Sequence, residues 1–228
     1  MTEKKRENAK NDFFAFYVGR NLSYILTVPF AKLKVQPNTV SLISLVEVVV
    51  AGLLFAVSNN LWQATLAWFL FFLWNLLDGV DGNLARLYGT SSKLGSVWDA
   101  TSGYAAMFIT YFSAGIYSYQ YVPISVGKWV IVIGALSGFS VIFPRLVMHK
   151  AITEIGSHQN NGLTSRSDFS VLKILALNLT SATGLTQPLL LLAILINKVA
   201  LYTVIYFMIN FFVMIASLKE IFKGNEHL

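Results

Sequence analysis

Residues 78–103 read D-G-V-D-G-N-L-A-R-L-Y-G-T-S-S-K-L-G-S-V-W-D-A-T-S-G. Asp78, Asp81 and Asp99 stand at the junction of two long apolar segments. Carboxylates beside hydrocarbon are costly, so they normally face a partner, a metal or water. Asp78 and Asp81 are three residues apart and share one face of a helix continuing out of the preceding apolar segment. Asp99 opens the next segment, which returns antiparallel, so three carboxylates can point into one space. Hard oxygen ligands of this kind suit Mg²⁺, Mn²⁺ or Ca²⁺. Arg86 offers a fork of donors for a phosphate. Gly79, Gly82 and Gly95 permit close backbone approach, and Ala85 is small on the same face. The set is suited to phosphoryl-group chemistry at a cation-screened pyrophosphate. Helix capping is the competing explanation. It could account for Asp99, but not for Asp78 and Asp81 at the end of a segment, where the helix dipole disfavours acids.

The elements that must hold these residues are apolar. Of the 228 residues, 55% are hydrophobic and 12% charged, about half the charged fraction of an ordinary soluble domain. We expect an all-α integral membrane protein with six transmembrane helices, near 40–58, 62–78, 97–121, 124–147, 178–197 and 199–218. The second is short for a span, and the fifth is polar through Asn178, Thr180, Ser181, Thr183 and Thr186, which points to burial among helices or a cavity lining. Residues 169–182 could instead form a separate interfacial helix. The chain reads as a single membrane domain: 1–39 cytoplasmic or interfacial, 40–218 the six-helix bundle, 219–228 a cytoplasmic tail.

Of the 17 Lys and Arg residues, all but Lys128 and Lys198 belong to the N-terminal segment, the 79–96 and 148–177 loops with their span ends, or the C-terminus. That asymmetry places both termini and the aspartate run on the cytoplasmic side. The net charge of +6 is then a membrane-surface feature, and no nucleic-acid partner is needed to explain it. There is no cysteine, which excludes a disulfide framework and thiolate metal sites. The opening MTEKKRENAKND lacks the order of a signal peptide, so insertion is expected to rely on internal segments. Residues 12–34 mix aromatic and apolar residues with Arg20, Lys32 and Lys34, as an N-terminal amphipathic helix in the interface does.

The run 78–103 resembles the signature of the CDP-alcohol phosphotransferase family, D-x2-D-G-x2-A-R-x8-G-x3-D-x3-D, with Asp78, Asp81, Gly82, Ala85, Arg86, Gly95 and Asp99 in its places. The six spans, the interfacial helix and the Pro37-Asn38 pair before the first span are also similar to the family. The resemblance implies transfer of a substituted phosphate from a CDP-linked donor to an alcohol acceptor, one of them a lipid, with release of CMP. It implies that Asp78, Asp81 and Asp99 bind the divalent cation, Mg²⁺ or Mn²⁺, and that Asp78, Gly82, Ala85 and Arg86 meet the CDP moiety. A homodimer is a further expectation of the resemblance. The family's last aspartate, the proposed base for the acceptor hydroxyl, is Gly103 here. Glycine can neither take a proton nor ligate through a side chain. Another residue could supply the base, the acceptor could need little base help because positioning and electrostatics dominate phosphoryl transfer, or transferase activity could be lost, leaving a non-catalytic CDP- or lipid-binding protein.

Glu47 is the acid inside the first span, about 10 Å deep at 1.5 Å per residue, and is a candidate replacement base or metal ligand. A hydrogen-bonded helix contact is its plainer reading. Arg145, His149 and Lys150 end the fourth span. Snorkelling suits Lys150, whereas Arg145, deeper and preceded by Pro144, could hold an acceptor phosphate. His158, in the 148–170 connector with Arg166 and Asp168, is a second candidate base, although a lone loop histidine is usually solvated. A transporter is disfavoured, because its ionisable groups should line a path across the membrane rather than cluster at one boundary.

Overall fold

Local chemistry sets the helix boundaries that matter to the aspartates. The computed structural model describes residues 12–155 and 178–223, and regular structure among them is helical. A π-helical turn at Ala15–Gly19 leads into α1 (Arg20–Lys32). Helix α2 (Pro37–Val57) begins on a proline, whose missing N–H costs nothing at a first turn. Helix α3 (Leu61–Tyr88) is capped by Asn60, whose side chain accepts from Gln63 N at 3.0 Å. It stops at Gly89, where φ is 66°, a left-handed conformation without Cβ strain only for glycine. Helix α4 (Lys93–Ser118) is capped by Ser92, which accepts from Gly95 N at 3.0 Å. A 3₁₀ turn at Tyr119–Tyr121 leads to α5 (Ile124–Ile155), and α6 (Thr186–Leu195) and α7 (Val199–Lys223) follow. The expected 79–96 loop is therefore mostly helix. Only 89–92 interrupts it, and Asp78 and Asp81 ride on the unbroken last turns of α3.

Six helices pack in a closed ring: α3 on α2, α2 on α4, α4 on α5, α5 on α7, α7 on α6, and α6 back on α3, with α1 lying against α3 outside it. Phe55, Phe71, Trp74, Tyr111, Leu190 and Tyr206 are among the residues that fill its centre. Serines and threonines also point inward: Ser44 Oγ lies 2.8 Å from Ser102 Oγ, which accepts from Trp74 Nε1 at 2.9 Å. Large apolar side chains such as Leu53, Val57, Trp62 and Trp129 lie on the outside. Small polar groups satisfied within and hydrocarbon without is the distribution a bilayer favours.

Among the described residues four helices are long and apolar enough to cross a membrane: Pro37–Val57, Leu61–Tyr88, Ile124–Glu154 and Val199–Lys223. Helix α4 has the length but is diluted by Asp99 and by Ser102, Thr110 and Ser113, all three buried. Helix α6 has 10 residues, about 15 Å, or roughly half a bilayer core. The polar stretch before it is used internally. Asn178 Oδ1 accepts from Phe13 N at 2.9 Å, and Ser181 Oγ donates to Asp12 Oδ2 at 2.6 Å. Helix α1 presents Ser23 and Thr27 inward, with Asn83 Nδ2 donating to Thr27 Oγ1 at 3.0 Å, and Tyr24, Ile25 and Val28 outward. His158, Arg166, Asp168, most of the 148–177 connector and residues 219–228 beyond Lys223 lie outside the described residues.

Helices α4 and α5 approach closely at Gly115 and Gly134. A Cβ on Gly134 would stand 2.6 Å from Tyr111 O and 3.0 Å from the Gly115 Cα. Because backbone cannot yield as a side-chain tip can, Gly134→Val is expected to cost about 1–3 kcal/mol by overpacking. The drop would be read as a lower thermal midpoint in detergent. Gly103→Ala is the control: its Cβ meets nothing within 4 Å, so the midpoint should hold or rise.

Candidate active site

Two cavities meet at the end of the ring where α3 stops and α4 starts. The first, of about 370 Å³, is lined by Asp78, Gly79, Asp81, Gly82, Ala85 and Arg86 from α3, by Gly95, Ser96 and Asp99 from α4, by Pro37, Asn38 and Ser41 from α2, and by the 90–92 link. Every signature residue from Asp78 to Asp99 thus faces one space, although nothing in their spacing alone says which helix closes it. The third wall is the first turn of α2. Its Ser41 Oγ donates to Asp81 Oδ2 at 2.5 Å, orienting a carboxylate that is 5% exposed.

The cavity mixes charges in a definite way. Asp78 and Asp81 are each within electrostatic reach of Asp99, so like charges oppose one another across the space. Against them stand Arg86, whose Nη2 donates to Asn83 Oδ1 at 2.7 Å, and the N-terminal turns of α2 and α4. Helix N-termini carry unpaired N–H groups and the positive end of the dipole, which favour a phosphate. The Arg86 guanidinium also lies 3.3 Å from where a Cβ on Gly82 would be, so glycine leaves the arginine room to fold over the cavity floor. Gly79 serves packing instead: a Cβ there would strike Ser23 Oγ of α1 at 2.7 Å. Ser92, not Asp99, caps α4, which removes the structural explanation for Asp99.

The donor set is oxygen-only and anionic, and fits a hard divalent cation. Among the described residues no three His, Cys, Asp or Glu side chains are already drawn into one ligating cluster. The three aspartates share a cavity rather than a ready-made cage.

The second cavity, of about 300 Å³, shares Asp78 and Asp99 with the first. Trp74, Gly103, Tyr104, Met107, Arg145 and His149 line it, with Ala100 and residues 181–183. Arg145 Nη1 contacts Met107 Sδ at 2.6 Å, and thioether sulfur is a weak acceptor. The ion pair among the described residues is Lys150 with Glu154, both exposed, so the half-buried Arg145 is left without a carboxylate there. Tyr104 Oη lies 2.8 Å from His149 Nδ1. Glu47 lines neither cavity. Its carboxylate oxygens are buried without a hydrogen-bond partner among the described residues, so the structure does not bring this candidate base to the aspartates. Ser41, Tyr104 and His149 are the residues that sequence reasoning leaves out of the site. A signal exists for two of them: Tyr104 adjoins Gly103, and His149 follows Arg145 by one helical turn.

The ring of apolar helices with an acidic pocket at one end fits an integral membrane protein with a polar site. Residues 34–218 match the CDP-alcohol phosphatidyltransferase family, and the chain belongs to it. It is also similar to the phosphatidylinositol phosphate synthase of Corynebacterium glutamicum, 36% identical over 88 residues. That match covers 36% of this chain and 38% of the relative, so it spans well under half of either.

Proposed function

We propose that the protein is a membrane transferase of phospholipid or related lipid synthesis, moving a substituted phosphate from a CDP-linked donor to an alcohol and releasing CMP. The observation that carries this reading is the convergence of Asp78, Asp81, Gly82, Ala85, Arg86, Gly95 and Asp99 on one cavity. The CDP moiety occupies that cavity, with Arg86 and the two helix N-termini on its phosphates and Gly82 and Ala85 leaving it room. Held by Asp78, Asp81 and Asp99, Mg²⁺ or Mn²⁺ would screen the pyrophosphate and stabilise the leaving phosphate. The acceptor occupies the second cavity, where Arg145 takes its anionic group. Asp78 and Asp99, common to both, stand between donor and acceptor. Helix α4 and the 178–197 stretch that contains α6 complete a six-span bundle, since α4 and α6 each fill a place in the ring between helices that can span. The 12–34 segment lies in the interface, and the basic-residue asymmetry puts the site and both termini on the cytoplasmic side. A homodimer rests on the resemblance alone.

The test is cation-dependent CMP release from the purified protein, using CDP-diacylglycerol and water-soluble CDP-alcohols as donors and a panel of free and phosphorylated polyols as acceptors. Release that needs Mg²⁺ or Mn²⁺ supports the reading. Cation-dependent CDP binding without release from any pair would leave a nucleotide-binding protein, and no binding at all would remove the donor site. Within the same assay, Ser41→Ala should weaken Mg²⁺-dependent CDP binding about tenfold, because groups that orient a metal-ligating carboxylate are worth about 10–100-fold in affinity. Calorimetry reads this directly.

A further inference from the structure

We infer that His149, held by Tyr104 beside Gly103, takes the proton of the acceptor hydroxyl. The inference rests on the proposed function and names a residue for a step that the signature leaves unserved in this chain. Gly103 lies one turn beyond Asp99 on α4 and so faces the same way. A Cβ built there meets nothing within 4 Å, which makes the place a carboxylate would occupy open space rather than packed protein. The facing helix α5 supplies a longer side chain to that space. His149 and Arg145 are four residues apart on one face of α5 and line the cavity together with Gly103, Tyr104, Asp78 and Asp99.

The 2.8 Å contact between Tyr104 Oη and His149 Nδ1 occupies that ring nitrogen and leaves Nε2 to face the acceptor, and we assign the tautomer that carries its proton on Nδ1. With Nδ1–H donating to the phenol oxygen, Nε2 carries the lone pair and can accept a proton. The step balances as follows. The acceptor oxygen forms a bond to the donor phosphorus that carries the transferred group, while its proton passes to Nε2. The bond from that phosphorus to the bridging pyrophosphate oxygen breaks, and its electron pair leaves with CMP. The imidazolium then returns its proton to water. Arg145, one turn deeper, would hold the acceptor by its anionic group and set the hydroxyl against the histidine. Glu47 could do none of this from outside both cavities.

The experiment compares the 228-residue parent with His149→Gln, Gly103→Asp/His149→Gln and Tyr104→Phe in detergent. It measures CMP release on the donor and acceptor panel above, and Mg²⁺-dependent CDP binding by calorimetry. His149→Gln should lower release by about 100-fold or more, the range for a lost general base, with CDP affinity unchanged within about twofold. Adding the aspartate at 103 should then recover release at least about tenfold, because a base returns to the open space. A purely structural histidine would not be rescued from the opposite helix. Release from His149→Gln within about threefold of the parent, absence of rescue by the double variant, or no release by a parent that binds CDP would each overturn the inference. Should His149→Gln also lose CDP binding, Tyr104→Phe decides: about a tenfold fall in release at unchanged CDP affinity supports it, and unaltered release overturns it. A parent that binds no CDP sinks the proposed donor site itself, a result distinguishable from the others.

Discussion

Asp78→Asn is expected to abolish cation-dependent CDP binding and to lower CMP release by about 10³-fold, the scale on which losing one preorganised electrostatic group at a reacting phosphate is felt. Asp78 borders both cavities, as Asp99 does, and it sits in the last turns of α3, where the helix dipole gives an acid no stabilising role of its own. The substitution keeps shape and volume and removes only charge, so packing on α3 should survive. Stability offers a second signature. Three carboxylates facing one space repel each other, and a buried charge carries a desolvation cost, so neutralising one should leave the cation-free protein as stable or more stable than the parent. Mg²⁺ should raise the thermal midpoint of the parent by mass action and that of Asp78→Asn much less. Thermal melts with and without the chelator EDTA check both statements. A variant that melts lower, and still gains stability from Mg²⁺ as the parent does, would mean that Asp78 is a packing residue.

The second large effect is expected at Arg145. Its guanidinium reaches the cavity that Asp78 and Asp99 also line, with a thioether in contact and no carboxylate within ion-pair distance among the described residues. A cation kept in a largely apolar helix without an acidic partner is suited to a ligand that brings the negative charge. Hydrogen bonds to charged groups are worth about 1.5–3 kcal/mol each, so Arg145→Ala should raise KM for a phosphorylated acceptor by about 10–100-fold, with the KM for the CDP donor nearly unchanged. Arg145→Lys should recover only part of the loss, since a point charge cannot reproduce a forked contact. Steady-state kinetics with each substrate varied in turn reads the split. Equal losses toward neutral and phosphorylated alcohols would argue that Arg145 supports the fold of α5, not the acceptor.

The acidic site is legible in the amino-acid sequence because its residues are close along the chain and fall on one face of a continuing helix. Asp78, Asp81, Ala85 and Arg86 follow helical spacing, and α3 carries them to its end as that spacing requires. What spacing cannot show is which other helix closes the space. Ser41 and Asn38 come from α2, about forty residues away, and their role depends on the angle at which α2 crosses α3. His149 belongs to a helix that reads, on its own, as an apolar span ending in ordinary basic anchors; only the packing of α5 against α4 turns it toward Gly103. Glu47 illustrates the converse. An acid within a span commands notice, but helix rotation decides what it faces, and rotation depends on contacts such as Gly52 against Ile109. Helix α6 is obscure for a different reason. Its polar approach reads as a poor span, and that approach instead bonds to Phe13 through Asn178 and to Asp12 through Ser181.

The partition formed by Asp78 and Asp99 also bears on the order of events. On the proposed function, two chambers that share Asp78 and Asp99 would be filled independently, and the reagents would meet beside those residues without either first bonding to the protein. Initial-rate plots should then intersect rather than run parallel, and each reagent should still bind when the other is withheld.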